Sequence, residues 1–558
     1  MAMVKPLGII FSIALLFSGD LFARSPDSEL RLNFFKQSAA QVLQDNLQIE
    51  KIDEYQYEII SSSGAPKIDF YSHFSIESHD GVHLSANFFI PSETAPKGLM
   101  VFINTWAMEE HEYIIRAYQF ARQGYGVLSY STRGFGNSEG VVKIGAQEDI
   151  QDVSAVANWI FNKFSFASEE MGVCGISYGG IIALLAAAFD QRVRAVLPMS
   201  AGIDLMNSIY GNQTPRLVWS SLLLLAGKFS GRLDPIIDEY YMDVLRHRRI
   251  EHITEWAAER SPINYLEKLN QNAPAIYMSH NWLDYLFPIN DVLKFYEAYR
   301  GPKQIDLNLG MHASYEILGM LQRRHYIWEQ AIGWIRKWVG SAKDEGGPTR
   351  LPVGMVVKNS RKRVWYHGTK DPGFEQMNIS LRPSTPSIPV WKKEKTIFSG
   401  RDSSAKTGIP VVSEFMESRF KVPVRLDLNR IRKLRGTVFF SPILGQKIEL
   451  RGIQTSSFWI KTRSEKFQVV AYLYDVAPNG VGTLISHGVF SRHQNHSTQA
   501  QNINIDFLAT AYDVSQGHRM AVVIDTFDAL YAVPTFSPYQ LKFVFDRMHP
   551  SLLSLSAK

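Results

Sequence analysis

Between residues 70 and 340 the chain alternates two patterns of hydrophobic positions. Short, almost unbroken apolar runs at 99–103, 126–130, 171–175, 193–199, 275–279 and 305–309 predict strands of a parallel sheet covered on both faces. Separating them are stretches in which apolar residues recur every three or four positions, the period of a helix with one buried stripe. Ile150, Val153, Ala157, Ile160 and Phe164 form such a stripe, and 114–123, 289–299 and 326–339 read as helices too. Ahead of this rhythm, residues 70–89 alternate on either side of Asp80-Gly81 and predict a hairpin. Residues 24 to about 65 are mixed and polar, and read as a helical arm. Strands and helices in this order predict an α/β fold with its active residues at the C-terminal ends of the strands.

Residues 201–272 break the rhythm. There 217–226 and 238–260 read as helices, and the interval carries Trp219 and Trp256. A structureless loop of that length is unusual in a compact domain, so a helical cap over the strand ends is expected. Residues 222–225 would line an apolar pocket or pack the cap onto the sheet. Around 341–350 glycine, proline and charge mark a linker. Beyond it the runs are short and alternating, at 352–357, 424–428, 437–440, 447–452, 457–461, 468–474, 482–490, 502–507, 518–525 and 540–545. Turns such as Pro478-Asn479-Gly480 separate them, the texture of an all-β sandwich or jelly roll. That domain offers no clustered nucleophile and base, so it reads as structural or as a wall of the site.

Composition narrows the classes. Of 558 residues, 45% are hydrophobic and 20% charged, the balance of a folded globular chain. The net charge of +5 is spread over short basic clusters at 246–249, 323–324 and 361–363. Nucleic-acid binding wants a basic face threaded with exposed aromatics, so no nucleic-acid partner is expected. Self-association is left open. Lys5 precedes the apolar run 7–17, and Leu21-Phe22-Ala23 offers the residues of a cleavage site. Residues 1–23 therefore read as a signal peptide and the chain as exported, periplasmic or secreted. Cys174 is the only cysteine, which rules out an intramolecular disulfide. No histidine or cysteine cluster has metal-ligand spacing, and neither metal nor cofactor is expected.

The chemistry concentrates in Gly175-Ile176-Ser177-Tyr178-Gly179-Gly180, which follows a strand and opens a helix. A serine hydroxyl is inert at neutral pH unless a sharp turn lifts it beside a base, and small flanking residues let such a turn close. Ser177 is the candidate nucleophile. Its base and orienting acid should follow in the order Asp, His on loops after later strands. Asp284 follows the run 275–279, and His312 follows 305–309. Asp291 and His280 are the rivals, the first expected in a helix and the second expected to shape the loop. An oxyanion needs donors from the opposite side: the backbone N–H of Tyr178, and a second group from the loop Asn104-Thr105-Trp106-Ala107. Asn104, the Trp106 indole and a backbone N–H all qualify there, with a slight preference for the indole.

These features resemble the CocE/NonD-type serine hydrolases, the family of cocaine esterase, the α-amino-acid ester hydrolases and the Xaa-Pro dipeptidyl-peptidases. Ser131-Thr132-Arg133-Gly134-Phe135-Gly136-Asn137-Ser138-Glu139-Gly140 is similar to a family loop, and Glu148-Asp149 to Trp159 to the helix after it. Tyr474-Asp475-Val476-Ala477-Pro478-Asn479-Gly480 and Gly517-His518-Arg519-Met520 look like signatures of its C-terminal domain. The resemblance implies an α/β-hydrolase domain over 24–340, a helical cap inserted at 201–272, and a jelly-roll β-sandwich over 351–558. It also implies a triad of Ser177, Asp284 and His312 acting on a small-molecule ester, or an amide, through an acyl-enzyme. One departure stands out: the family's usual Asn-Pro-Tyr, whose tyrosine donates to the oxyanion, is here Asn104-Thr105-Trp106. An indole N–H donates from a bulkier and differently shaped arm. The alternatives are a dipeptidyl-peptidase or amino-acid ester hydrolase, with Asp234, Asp238 or Glu239 of the cap holding a free amine, and a catalytically weak secreted binding protein.

Overall fold

A computed structural model describes residues 28–341, 343, 350–369, 373–383, 394–494 and 497–558. The expected signal peptide, 1–23, lies outside the described residues. The first domain is built on one twelve-stranded sheet. Its strands are β1 (Leu47–Lys51), β2 (Gln56–Ser61), β3 (Ile68–Glu77), β4 (His83–Pro91), β5 (Leu99–Ile103) and β6 (Gly126–Tyr130). They continue with β7 (Met171–Ile176), β8 (Val193–Met199), β9 (Ala275–Leu283), β10 (Lys303–Met311), β11 (Val353–Val356) and β12 (Arg363–Tyr366). The spatial order is β1-β2-β3-β4-β6-β5-β7-β8-β9-β10-β11-β12, parallel from β6 to β11 and antiparallel at both ends. The central strands β5, β6 and β7 are buried at every position, which is why their sequences are continuous apolar runs. Helices Ser28–Ser38, Ile114–Ala121 and Tyr326–Trp338 cover one face. Gln147–Lys163, Tyr178–Phe189 and Ile289–Ala298 cover the other.

Three expectations are corrected. The arm at 24–65 is helical only to Leu43, after which β1 and β2 extend the sheet. The helix read across 238–260 is two helices, Ile236–Arg246 and Ile250–Ala258, because His247 and Arg249 take left-handed conformations between them. The break expected at 351 falls later: β11 and β12 still belong to the first sheet, edging β10. Arg363 and Arg350 of this return segment ion-pair with Asp306 of β10, which is fully buried. Trp282 of β9 donates its indole N–H to the Val356 carbonyl, 2.7 Å.

The interval 201–272 is a helical cap, formed by Leu205–Tyr210, Leu217–Ser230, Ile236–Arg246, Ile250–Ala258 and Leu266–Asn272. Beyond β12 the chain is β-rich, with an eight-stranded and a six-stranded sheet. Phe439, Leu473 and Val522 of the smaller sheet share a core with Phe458, Phe543 and Leu553 of the larger. One helix there, Val412–Phe420, and strands including Glu375–Ser380, Thr510–Val514 and Leu552–Ala557 had no counterpart in the sequence reading. Tyr472 and Tyr474 of this domain join the hydrophobic core of the first, so the two are packed together.

Candidate active site

Ser177 sits between β7 and the helix Tyr178–Phe189 with φ 55° and ψ −113°, a backbone conformation an L-residue adopts only under strain. Close packing on both sides holds the turn. A Cβ on Gly175 would lie 2.2 Å from the Gly179 carbonyl carbon, and one on Gly179 would lie 2.3 Å from the Ile103 carbonyl oxygen. The Ser177 amide donates to the Met199 carbonyl at 2.8 Å, tying the turn to the end of β8.

The structure brings Ser177, His312 and Asp284 together at the C-terminal ends of β7, β10 and β9. Ser177 Oγ lies 2.8 Å from His312 Nε2, and His312 Nδ1 lies 2.7 Å from Asp284 Oδ2. Rings steady the imidazole edge-on: Phe287 at 5.1 Å and Trp219 of the cap at 5.9 Å. Asp284 is fully buried, and its Oδ1 accepts the amides of Leu286 at 3.1 Å and Phe287 at 2.9 Å. Burial alone would raise its pKa, but His312 beside it outweighs that penalty and holds the carboxyl below its ordinary value. His280 is buried on β9 with Nε2 3.1 Å from the Phe287 carbonyl, and burial lowers its pKa. It shapes the loop rather than facing Ser177. Asp291, in the helix Ile289–Ala298, accepts from Asn207 at 2.6 Å instead of meeting His312.

The indole reading of the oxyanion loop is corrected. Trp106 Nε1 donates to the Leu223 carbonyl of the cap at 2.8 Å, so that hydrogen is spent on holding the cap. Its ring lies against Gly227, where an added Cβ would sit 2.6 Å from the ring, and edge-on to Tyr178 and Phe135. A glycine on the cap helix thus makes room for tryptophan. Asn104 is committed as well: Nδ2 donates to the carbonyls of Thr105 and Met108, both 2.9 Å, and Oδ1 accepts the Thr132 amide at 2.7 Å. The Thr105 amide donates to Glu112. The Tyr178 and Trp106 amides make no hydrogen bond among the described residues, and both flank Ser177's cavity.

That cavity measures about 130 Å³. Trp106, Ile181, Leu205, Leu223, Leu224, Leu286 and Phe287 line it beside Ser177, with Tyr240, Tyr241 and Trp256 from the cap, and no charged side chain among the described residues. Of the expected residues 222–225, only Leu223 and Leu224 reach it, whereas Leu225 is exposed. Among the described residues, none after Phe287 lines it. The cap carboxylates lie elsewhere. Asp238 pairs with Lys228, Glu239 with Arg249, and Asp234 accepts the Ile236 amide at 3.0 Å.

The loop 131–140 proves to be a structural staple. Arg133 makes two hydrogen bonds to Asp80 in the hairpin turn and two to Asp152 in the following helix, all between 2.6 and 2.8 Å. At the start of that helix Asp149 accepts the Gly145 and Ala146 amides, at 2.9 and 3.0 Å. Burial, with repulsion from Asp152, pushes its carboxyl up to about 7. A carboxyl whose pKa rises on folding stabilises most below its unfolded value, and that contribution is lost as pH climbs through the folded one. The thermal midpoint is therefore expected to fall between about pH 4 and 7, and to fall less in Asp149→Asn, which keeps an acceptor and cannot ionise. Parallel melting curves across that range for the two proteins would refute the assignment.

Comparison with known proteins supplies the context. The model of the X-Pro dipeptidyl-peptidase (S15) family matches residues 80–314. That of the X-Pro dipeptidyl-peptidase C-terminal non-catalytic domain matches 370–552. A polyketide transferase, grgF, of a Penicillium species is 26% identical over 219 residues, covering 34% of this chain and 72% of its own. A thiohydrolase, aneE, of Aspergillus aculeatus is 22% identical over 268 residues, covering 42% and 84%. Among solved structures, a CocE/NonD family hydrolase of Staphylococcus aureus superposes with a TM-score of 0.69 at 12% identity, over 91% of this chain and 97% of that one. An α-amino-acid ester hydrolase gives 0.67 at 14% identity, over 89% and 98%. At such identities the superpositions speak for the fold.

Proposed function

Because the chain belongs to the CocE/NonD and S15 family of serine hydrolases, which cleave ester or amide bonds through an acyl-enzyme, we propose that Ser177 is its nucleophile. His312 Nε2 takes the hydroxyl proton as Ser177 Oγ attacks the acyl carbon, and returns it to the leaving group as the bond to that group breaks. Asp284 holds the imidazole in the tautomer with hydrogen on Nδ1 and stabilises the imidazolium. The oxyanion rests on the backbone amides of Tyr178 and Trp106, which flank Ser177 and are committed to no other acceptor among the described residues. Water activated by the same histidine then hydrolyses the acyl-enzyme. One observation carries this reading: an unbroken hydrogen-bonded path from Ser177 through His312 to Asp284 that opens into an uncharged cavity.

The cavity favours a small-molecule carboxylic ester. Its volume is near that of engineered cavities that take up benzene, which suits a short acyl chain or a single ring. A dipeptidyl-peptidase must hold a free ammonium, and among the described residues no carboxylate lines this space. Two further parts of the reading rest on sequence: export through residues 1–23, and a jelly-roll topology for the C-terminal sandwich. A fluorophosphonate probe tests the core of the proposal, since it labels an activated serine without knowledge of the natural substrate. Labelling that maps to Ser177 is expected, and a native protein that stays unlabelled would sink the reading. With a backbone amide as second donor, Trp106→Phe should leave kcat within about twofold and act on KM and cap stability. A hundredfold loss in kcat would return the indole to the oxyanion hole.

A further inference from the structure

The turn that follows the oxyanion loop carries Glu109, Glu110 and His111, and faces β3 of the hairpin. There β3 is irregular. Its register against β4 shifts between Tyr71 and Phe74, and His73 in the gap takes φ 57°, in the left-handed region. A bulge of this kind re-aims one side chain at the cost of regular pairing, and a non-glycine residue is held in that region only where its surroundings fix it there. The result is that the His73 ring meets the His111 ring, centroids 4.8 Å apart. Glu110 is 1% exposed, and its carboxylate lies beside them, 3.3 Å from His111 Nδ1. One nitrogen or oxygen from each of His73, Glu110 and His111 can be chosen so that all lie within 4.8 Å of one another. Glu109 Oε1 stands 3.6 Å from His111 Nδ1 as a fourth donor.

We propose that His73, Glu110 and His111 bind a divalent first-row cation, Zn²⁺ foremost, that clamps the oxyanion loop to β3. Two imidazoles and a carboxylate are a donor set that zinc accepts, and bonds of about 2.1 Å need donors some 3–3.5 Å apart, within about 1–2 Å of closure here. The carboxylate is held as a ligand should be: Ser85 Oγ donates to Oε1 at 2.9 Å, and Ser131 Oγ donates to Oε2. Ser131 also accepts the Glu110 amide at 2.9 Å, so one hydroxyl fixes both ends of the residue. None of the three donors lines the Ser177 cavity. The ion therefore acts on where the Asn104–Met108 segment stands, through the chain that joins it directly to Glu109.

The experiment uses untagged full-length protein stripped with a chelator. Titration with Zn²⁺ is expected to saturate at about one ion per chain and to raise the thermal midpoint, and Co²⁺ to give the visible bands of four- or five-coordination. His73→Asn keeps a residue that tolerates the left-handed conformation while removing the imidazole, and His111→Gln removes the other. Each should weaken Zn²⁺ binding at least tenfold, with the metal-free melting point little changed. Ser131→Ala should weaken it by about 10- to 100-fold, because the Glu110 carboxylate loses the hydroxyl that holds it. If either histidine variant melts early without metal, the Co²⁺ spectrum of the native protein decides alone. Sub-stoichiometric Zn²⁺ uptake, an octahedral Co²⁺ spectrum of the aqueous type, or unaltered binding in both histidine variants overturns the site.

Discussion

Ser177→Ala is expected to lower kcat on short-chain aryl esters by about 10⁴- to 10⁶-fold while leaving the cavity and cap in place. The hydroxyl is the attacking atom, so what survives is the contribution of binding and of the oxyanion amides. Stability should hardly follow activity. Ser177 loses one hydrogen bond to His312, and alanine inherits the same strained backbone, φ 55° and ψ −113°. Ser177→Gly separates the two effects further, because glycine adopts this conformation without steric cost. It should be as inactive as the alanine variant and melt higher than it. An alanine variant with native turnover would remove Ser177 from the chemistry, and a glycine variant that melts lower than alanine would remove strain from the account of the turn.

The second large effect belongs to Asp284→Asn, expected to cut kcat by about 10⁴-fold with the fold retained. Asn Oδ1 can go on accepting the Leu286 and Phe287 amides, so the loop keeps its shape. The amide nitrogen then faces His312 Nδ1, donor against donor, and the ring must move its hydrogen to Nε2. In that tautomer Nε2 cannot accept the Ser177 proton across their 2.8 Å contact. Asp291→Asn is the matched control, since Asp291 bonds to Asn207 and should tolerate the change. Native-like turnover in Asp284→Asn together with collapse in Asp291→Asn would transfer the acid's role.

Sequence and structure agree where burial is two-sided and local. The runs 99–103 and 126–130 became β5 and β6 with the same bounds, because strands buried on both faces admit little but apolar residues. The run 275–279 was too short: β9 continues to Leu283 through His280 and Asn281, polar yet buried, with Asn281 Nδ2 donating to Ser200 and Glu316. Hydrophobicity does not register such residues. The placement of Ser177, Asp284 and His312 was legible because chain order and strand ends constrain it. The fate of the Trp106 indole was not, because its acceptor, Leu223, and the glycine that receives its ring belong to the cap, far along the chain. His73 and His111 escaped for the same reason: their meeting depends on a bulge that no spacing rule anticipates.

The return of residues 350–366 to the first sheet means that the linker is not a seam. A catalytic fragment ended before Arg350 would lose both cations that neutralise Asp306 and would uncover the outer edge of β10, the strand that leads into His312. An unpaired buried carboxylate and a bare strand edge are costly together, the second inviting association with other chains. Chimeras that exchange the C-terminal domain among relatives would therefore need their junction after Tyr366. In modular terms, the catalytic unit owns a stretch of chain on the far side of what looks like its border.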